Sequence, residues 1–209
     1  MASDVPLIAG SNLVIARRVA RQFVGDEAFD AAVASLTPSL AARRTAVHPA
    51  VNSGNLRASL TPEERAAYLD SSVLSWVPVA LIDAAMEKIA RAGRVTAEEL
   101  VIHVTRVSQE EMLHTIYRIL MRVTTDEALI GRTNTFYSKV YDTGRLTSEF
   151  PAPGRANVTL HEWPGITPLQ LVGLGAGIEA TLRCAGRKEA RVHGKRTPDG
   201  AIYACTWRK

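Results

Sequence analysis

The sequence predicts an α+β domain, with N-terminal and central helices packed against a small antiparallel sheet formed mainly by the C-terminal third. Three observations carry that expectation. Helix starts marked by capping residues run from 61 to 170, and short alternating strands begin only near residue 156. The two kinds of element also cluster, where a doubly wound parallel sheet would alternate them.

The helix starts fit the capping box, in which a hydroxyl caps a free backbone N–H and an acid or amide three residues on returns the bond. They are Thr61-Pro62-Glu63-Glu64, Thr96-Ala97-Glu98-Glu99, Ser108-Gln109-Glu110-Glu111, Thr124-Thr125-Asp126-Glu127 and Thr167-Pro168-Leu169-Gln170. Pro62 and Pro168 take the first helical position, where a missing N–H costs nothing. Read from these caps, helices run near 11–24, 26–36, 61–73, 77–92, 96–107, 108–123, 125–142 and 168–185, with Gly93 and Gly186 at helix ends. Strands fall at 156–163, 189–195 and 201–207. Pro198-Asp199-Gly200 joins the last two as a hairpin, proline setting one dihedral and Asp-Gly tolerating a left-handed one. The segment 45–60, rich in Pro, Asn, Ser and Gly, reads as a loop between an N-terminal helical extension, 1–45, and the domain proper, 61–209.

The 209 residues are 46% hydrophobic and 22% charged, ordinary for a soluble globular chain. The N-terminus has no basic start before a long apolar run, and no stretch reaches the ~18 apolar residues of a membrane span, so neither a signal peptide nor a membrane segment is expected. Two cysteines in unrelated contexts, Cys184 and Cys205, read as buried and inert in a reducing, cytoplasmic setting. The net charge of +4 is uneven: residues 1–150 carry 16 basic and 17 acidic groups, residues 151–209 carry 9 and 4. Arg187, Lys188, Arg191, Lys195 and Arg196 surround two strands without interleaved aromatics. That pattern reads as a solvated basic face and argues against a nucleic-acid surface.

No cluster states a chemistry. Gly173, Gly175 and Gly177 lie inside a helix whose cap is Thr167, so they cannot form the phosphate turn of a dinucleotide fingerprint. Close helix-to-sheet packing is expected to offset their cost of about 1 kcal/mol each. His103 and His114 are eleven positions apart, but the expected cap at Ser108 divides them, and no cysteine or carboxylate stands at zinc spacing. His161 and His193 read as surface or cross-strand residues. Met112, Ile116, Ile119, Leu120 and Val123 form a core stripe, while Tyr117 and Met121 can border a cavity. There is no Gly-x-Ser-x-Gly elbow and no HExxH. The pairs Glu98-Glu99 and Glu110-Glu111 sit at caps, where they complement the helix dipole.

The C-terminal half resembles a bacterial paralogous family of proteins of about this length. The residues that carry the resemblance are LIGRTNTFYSKVYDTGRL, ANVTLHEWPG, LVGLGAGIEATLRCAGRKEARV and the closing TPDGAIYACTW. That family is similar to the 4-vinyl-reductase domain, the TRAPP-type trafficking subunits and the haem-nitric-oxide-binding fold. The resemblance covers about residues 61–208. It implies helices packed on an antiparallel sheet, an apolar cavity in some members, frequent dimerisation, and roles as sensors or assembly subunits more than as enzymes. Cysteine-held zinc is not carried over, because only Cys205 lies near the final hairpin. Haem is not carried over either: Tyr137 is followed directly by Ser138, and the Tyr-x-Ser-x-Arg motif of haem-binding relatives is absent. No metal or cofactor is expected.

The resulting expectation is a non-enzymatic sensory or regulatory domain that binds a small apolar ligand between the helices around 77–123 and the sheet. Trp76, His114, Tyr117 and Met121 are the expected lining, with Tyr137 and Tyr141 as further candidates. The alternative is an assembly or scaffold subunit acting as a homodimer. In YSKVYDTGR, residues 137–145, Phe136 and Val140 belong on a buried helix face, and Gly144 supplies the left-handed residue that turns the chain into the sheet.

Overall fold

The computed structural model describes residues 6–35, 76–113 and 124–208. Their order is β1 (Leu7–Ala9), α1 (Gly10–Val24), α2 (Asp26–Ala34), β2 (Trp76–Pro78), α3 (Val79–Ala92), α4 (Ala97–Met112), α5 (Asp126–Gly131), α6 (Thr133–Tyr137), β3 (Arg145–Ala152), β4 (Arg155–His161), α7 (Pro168–Cys184), β5 (Lys188–Thr197) and β6 (Gly200–Arg208). The fold is α+β, with a four-stranded antiparallel sheet in the order β3-β4-β6-β5 and a two-stranded antiparallel pair, β1-β2.

The sheet is one-sided, as strand periodicity requires. Along β6, Ala201, Tyr203, Cys205 and Trp207 are buried while Ile202, Ala204, Thr206 and Arg208 face solvent. On β4, Ala156, Val158 and Leu160 are at most 1% exposed and join the same core. A second cluster unites α1, α2, α3 and α4 through Leu13, Phe29, Leu81, Ile89 and Leu100; Ile8 of β1 packs against both clusters.

Helix α7 lies between them, contacting α4 as well as β5 and β6. Its glycines divide the work. Built onto Gly173, a Cβ would come within 3.1 Å of Val101 Cγ1, and one on Gly177 within 3.5 Å of Thr105 Cγ2. Gly175 alone faces the sheet, where a Cβ would lie 3.5 Å from the Tyr203 ring. The expected helix-to-sheet packing therefore holds for one glycine of the three, and the other two let α7 approach α4. Glu179, 6% exposed, completes that contact by accepting from Arg106 and Arg183, both at 2.8 Å.

Caps were the most readable local feature. Thr96 and Glu99 form a complete capping box, whose hydrogen bonds hold the Glu99 carboxyl below the usual range. Thr167 accepts from Gln170 N, and Gly93 follows α3. Three readings are corrected. Ser108 does not start a helix: α4 runs through it to Met112 and buries it, because the apolar pattern of Leu100 and Val104 continues across the polar triplet. The expected single helix 125–142 is two short ones, α5 and α6, and its cap is Thr125 rather than Thr124. After Gly144 the chain was expected only to turn into the sheet; β3 pairs with β4 from Arg145↔His161 to Glu149↔Asn157 and again at Ala152↔Arg155, with an irregularity between.

In the β5–β6 hairpin the left-handed dihedral expected within Asp199-Gly200 is absent. Glycine is needed at 200 for a different reason, since a Cβ there would fall 2.3 Å from Leu160 O. Arg187 also departs from the solvated basic face. It is 8% exposed, with Nε donating to Asp126 Oδ1 at 2.8 Å and Nη2 to Thr124 O at 2.7 Å, and Trp207 Nε1 donates to Asp126 Oδ2 at 3.4 Å. A buried guanidinium requires such a partner; Lys188, Arg191, Lys195 and Arg196 remain exposed. Both cysteines are buried without a disulfide, and burial pushes the Cys205 thiol up to about 12. The helix expected at 61–73 and most of the 108–123 stripe lie outside the described residues.

Candidate ligand cavity

Six helices, with Ile8 of β1, Leu146 of β3 and the segment 140–141, line a cavity of about 180 Å³. Among the described residues, α1 supplies Asn12, Leu13 and Ala16, and α3 supplies Ile82, Asp83 and Met86. From α4 come Val101, Val104, Thr105, Ser108 and Gln109, and from α7 Gln170, Gly173, Gly177 and Ile178. Helices α5 and α6 add Leu129, Ile130 and Phe136. Leu146 on β3 is the one described lining residue from the four-stranded sheet. The helical periodicity that makes α1, α3 and α4 amphipathic thus turns their apolar stripes toward one another, and Gly173 and Gly177 contribute wall without side-chain volume.

Tyr137 and Tyr141 belong to this wall. Tyr137 closes α6 and donates from its hydroxyl to Thr143 O at 2.6 Å. Tyr141 stacks on Tyr137 at 5.1 Å between ring centroids and meets Trp163 at 5.4 Å. Burial pushes both phenols above their ordinary range, so both stay protonated. The segment that follows is a junction. Ala9 N donates to Val140 O, Leu7 N donates to Asp142 Oδ1, Ile8 bridges Tyr141, and Gly144 takes the left-handed conformation at φ 77°. Phe136 and Val140 both face the cavity.

Trp76 stands on β2, 46% exposed and outside the cavity lining. His114, Tyr117 and Met121 lie outside the described residues. His103 turns away from the lumen and stacks on Phe23 of α1 at 4.2 Å. His161 is a cross-strand residue, its Nε2 2.9 Å from Thr147 Oγ1 and its Nδ1 3.4 Å from Asp199 Oδ2. Among the described residues there is no cluster of three metal-ligating side chains.

The polar part of the wall lies elsewhere. Asp83, 5% exposed, accepts from Thr167 Oγ1, the N-cap of α7, at 2.6 Å and from Gln170 Nε2 in its first turn. Gln170 Oε1 in turn sits 3.5 Å from the Tyr141 hydroxyl. Desolvation raises the Asp83 carboxyl above its ordinary range, Thr167 and Gln170 pull it down, and Glu87 pushes it up. Asn12 Nδ2 and Ser108 Oγ are buried without a hydrogen-bond partner. Sequence reasoning missed all four residues, which come from four helices. The one usable signal was Asp83 itself, an acid within the apolar run VALIDAAM.

No family model matches the sequence, and no curated protein matches it either. Solved structures do match. An Fe(II) unliganded H-NOX protein from K. algicida superposes with a TM-score of 0.61 at 9% identity, over 96% of this chain and 97% of that one. A Cs H-NOX mutant gives 0.62 at 9% identity, over 96% and 97%. An oxygen-binding H-NOX domain related to soluble guanylate cyclases gives 0.59 at 9% identity, over 96% and 95%. The class defined is an α+β domain with the H-NOX type of fold. At 9% identity the likeness is one of architecture, and fold does not carry function with it.

Proposed function

We propose that this chain is a non-enzymatic sensory or regulatory domain whose cavity binds a small, largely apolar ligand. The observation that carries the reading is the cavity: about 180 Å³, walled mainly by apolar side chains, with a few buried polar groups turned into it. An engineered apolar cavity of ~150 Å³ holds benzene, so the space suits a single-ring molecule. The H-NOX likeness supports a sensory role by analogy of fold, and kinship with the 4-vinyl-reductase and TRAPP-type domains stays part of the proposal. So do the division at residues 45–61 and the cytoplasmic setting; no helix among the described residues is long and apolar enough to cross a membrane.

Haem is not part of this reading. The described lining contains no histidine or cysteine to ligate iron and no arginine or lysine to meet propionates. The protonated Tyr137 and Tyr141 do not suit a phenolate ligand. A porphyrin is also several times larger than a single ring.

Native mass spectrometry of the purified protein, followed by thermal-shift screening with single-ring compounds, tests the proposal. A bound small molecule or a saturable rise in melting temperature is expected, abolished by the cavity-filling variant Ala16→Phe. No adduct and no shift from any compound would end this reading. A homodimer is the alternative, favoured by Trp76 and Phe23, which stay 46% and 39% exposed. Light scattering that gives a monomer at high concentration rejects it.

A further inference from the structure

Among the described residues no cation pairs with Asp83, a buried acid. The ion pairs among the described residues join Arg18 to Glu111, Arg21 to Asp26 and Asp30, Arg106 and Arg183 to Glu179, Arg145 to Glu162, His161 to Asp199, Arg187 to Asp126 and Arg208 to Glu189, and none of these reaches Asp83. Its two contacts, Thr167 Oγ1 and Gln170 Nε2, are neutral donors, and the charge that acts on it, that of Glu87, is of the same sign. A carboxylate offers about four acceptor positions, so two remain unfilled on a side chain that lines the cavity.

Two further polar atoms reach the same space. Asn12 Nδ2 on α1 can only donate, Ser108 Oγ on α4 can donate or accept, and both are buried and unpartnered. An unsatisfied buried polar group costs about 1–3 kcal/mol. Two such groups, together with the Asp83 carboxyl from a third helix, are explained at once if a ligand in the cavity meets them. The complement can be read from their chemistry. The described lining presents an acid, which disfavours an anion. The acid without a countercharge calls for a cationic donor, the Asn12 amide for an acceptor oxygen, and the apolar remainder for a ring.

We infer that the cavity recognises a small single-ring amine that also carries an oxygen, with Asp83 taking the ammonium and Asn12 and Ser108 taking the oxygen. The inference rests on the cavity-binding reading above and names the ligand class for that same site. Thr167 and Gln170 act as positioning residues, holding the carboxylate in one orientation.

Isothermal titration calorimetry with tyramine, phenethylamine, phenethyl alcohol and hydrocinnamate tests it. These probes share one ring and differ in the charge and oxygen they present. The expected order is tyramine, then phenethylamine, then the alcohol, with about tenfold or more between amine and alcohol and no binding of hydrocinnamate. Asp83→Asn is expected to abolish the preference for amine over alcohol, and Ser108→Ala the preference for tyramine over phenethylamine. If Asp83→Asn does not fold, as judged by circular dichroism, the order measured on the wild type and on Ser108→Ala decides. Equal binding of amine and alcohol, or preference for the carboxylate, overturns the inference and leaves the cavity reading standing. Failure of all four probes to bind overturns both.

Discussion

Thr167 Oγ1 donates to Asp83 Oδ2 at 2.6 Å while accepting from Gln170 N at 3.1 Å. A single hydroxyl therefore caps α7 and fixes the buried carboxylate of α3 against that cap.

Replacing Thr167 with Val should show both roles. Loss of an N-cap costs about 1 kcal/mol, and leaving a buried acceptor short of a donor costs about 1–3 kcal/mol. Chemical denaturation should give a loss of about 2–4 kcal/mol, with Thr167→Ser retaining most of the stability. A loss no larger than that of an ordinary cap would mean that Asp83 does not depend on this bond.

The pH dependence follows from the raised Asp83 carboxyl, whose dominant cause is desolvation. In the folded state the group holds its proton to higher pH than in the unfolded chain. Stability from Asp83 is then fully present below the unfolded value and is lost as pH rises through the folded one. Relative to Asp83→Asn, the wild type should weaken as pH rises from the ordinary carboxylate range through the raised value of folded Asp83. Parallel stability curves for the two proteins would show that Asp83 titrates alike in both states.

The glycines of α7 should respond in opposite directions. At Gly177 a Cβ meets only ordinary contact at 3.5 Å, so Gly177→Ala gains helix propensity worth up to about 1 kcal/mol. At Gly173 the approach to Val101 is 3.1 Å, and Gly173→Leu should cost about 1–3 kcal/mol through overpacking. Melting temperatures of the two variants check the contrast, and a destabilised Gly177→Ala would contradict the packing described.

Asp126 and Arg187 are both buried and tie the start of α5 to the segment before β5. Removing one partner strands a charge, so Asp126→Ala should cost about 3–5 kcal/mol. The double variant Asp126→Leu with Arg187→Met should recover much of that loss, because neither charge is then left alone. Equal losses in the single and double variants would assign the effect to packing instead.

Local chemistry was legible in the sequence wherever the deciding atoms are neighbours in the chain. The Thr96 and Thr167 caps and the left-handed Gly144 belong to this class, since each depends on atoms within a few residues, whereas the β5–β6 hairpin was placed correctly although Gly200 is required by the distant Leu160 O. The clustering of helices before strands likewise disclosed the α+β class. Tertiary structure alone decided whether Ser108 would cap a helix or be buried inside one, whether Arg187 would be solvated or paired, and which walls would enclose a cavity. Asn12, Asp83, Ser108 and Gln170 lie on α1, α3, α4 and α7, and periodicity reports which face of a helix is buried without saying what it is buried against. The cavity exists because the packing of α4 on α7 brings those faces together, and that meeting is a property of the assembled layers.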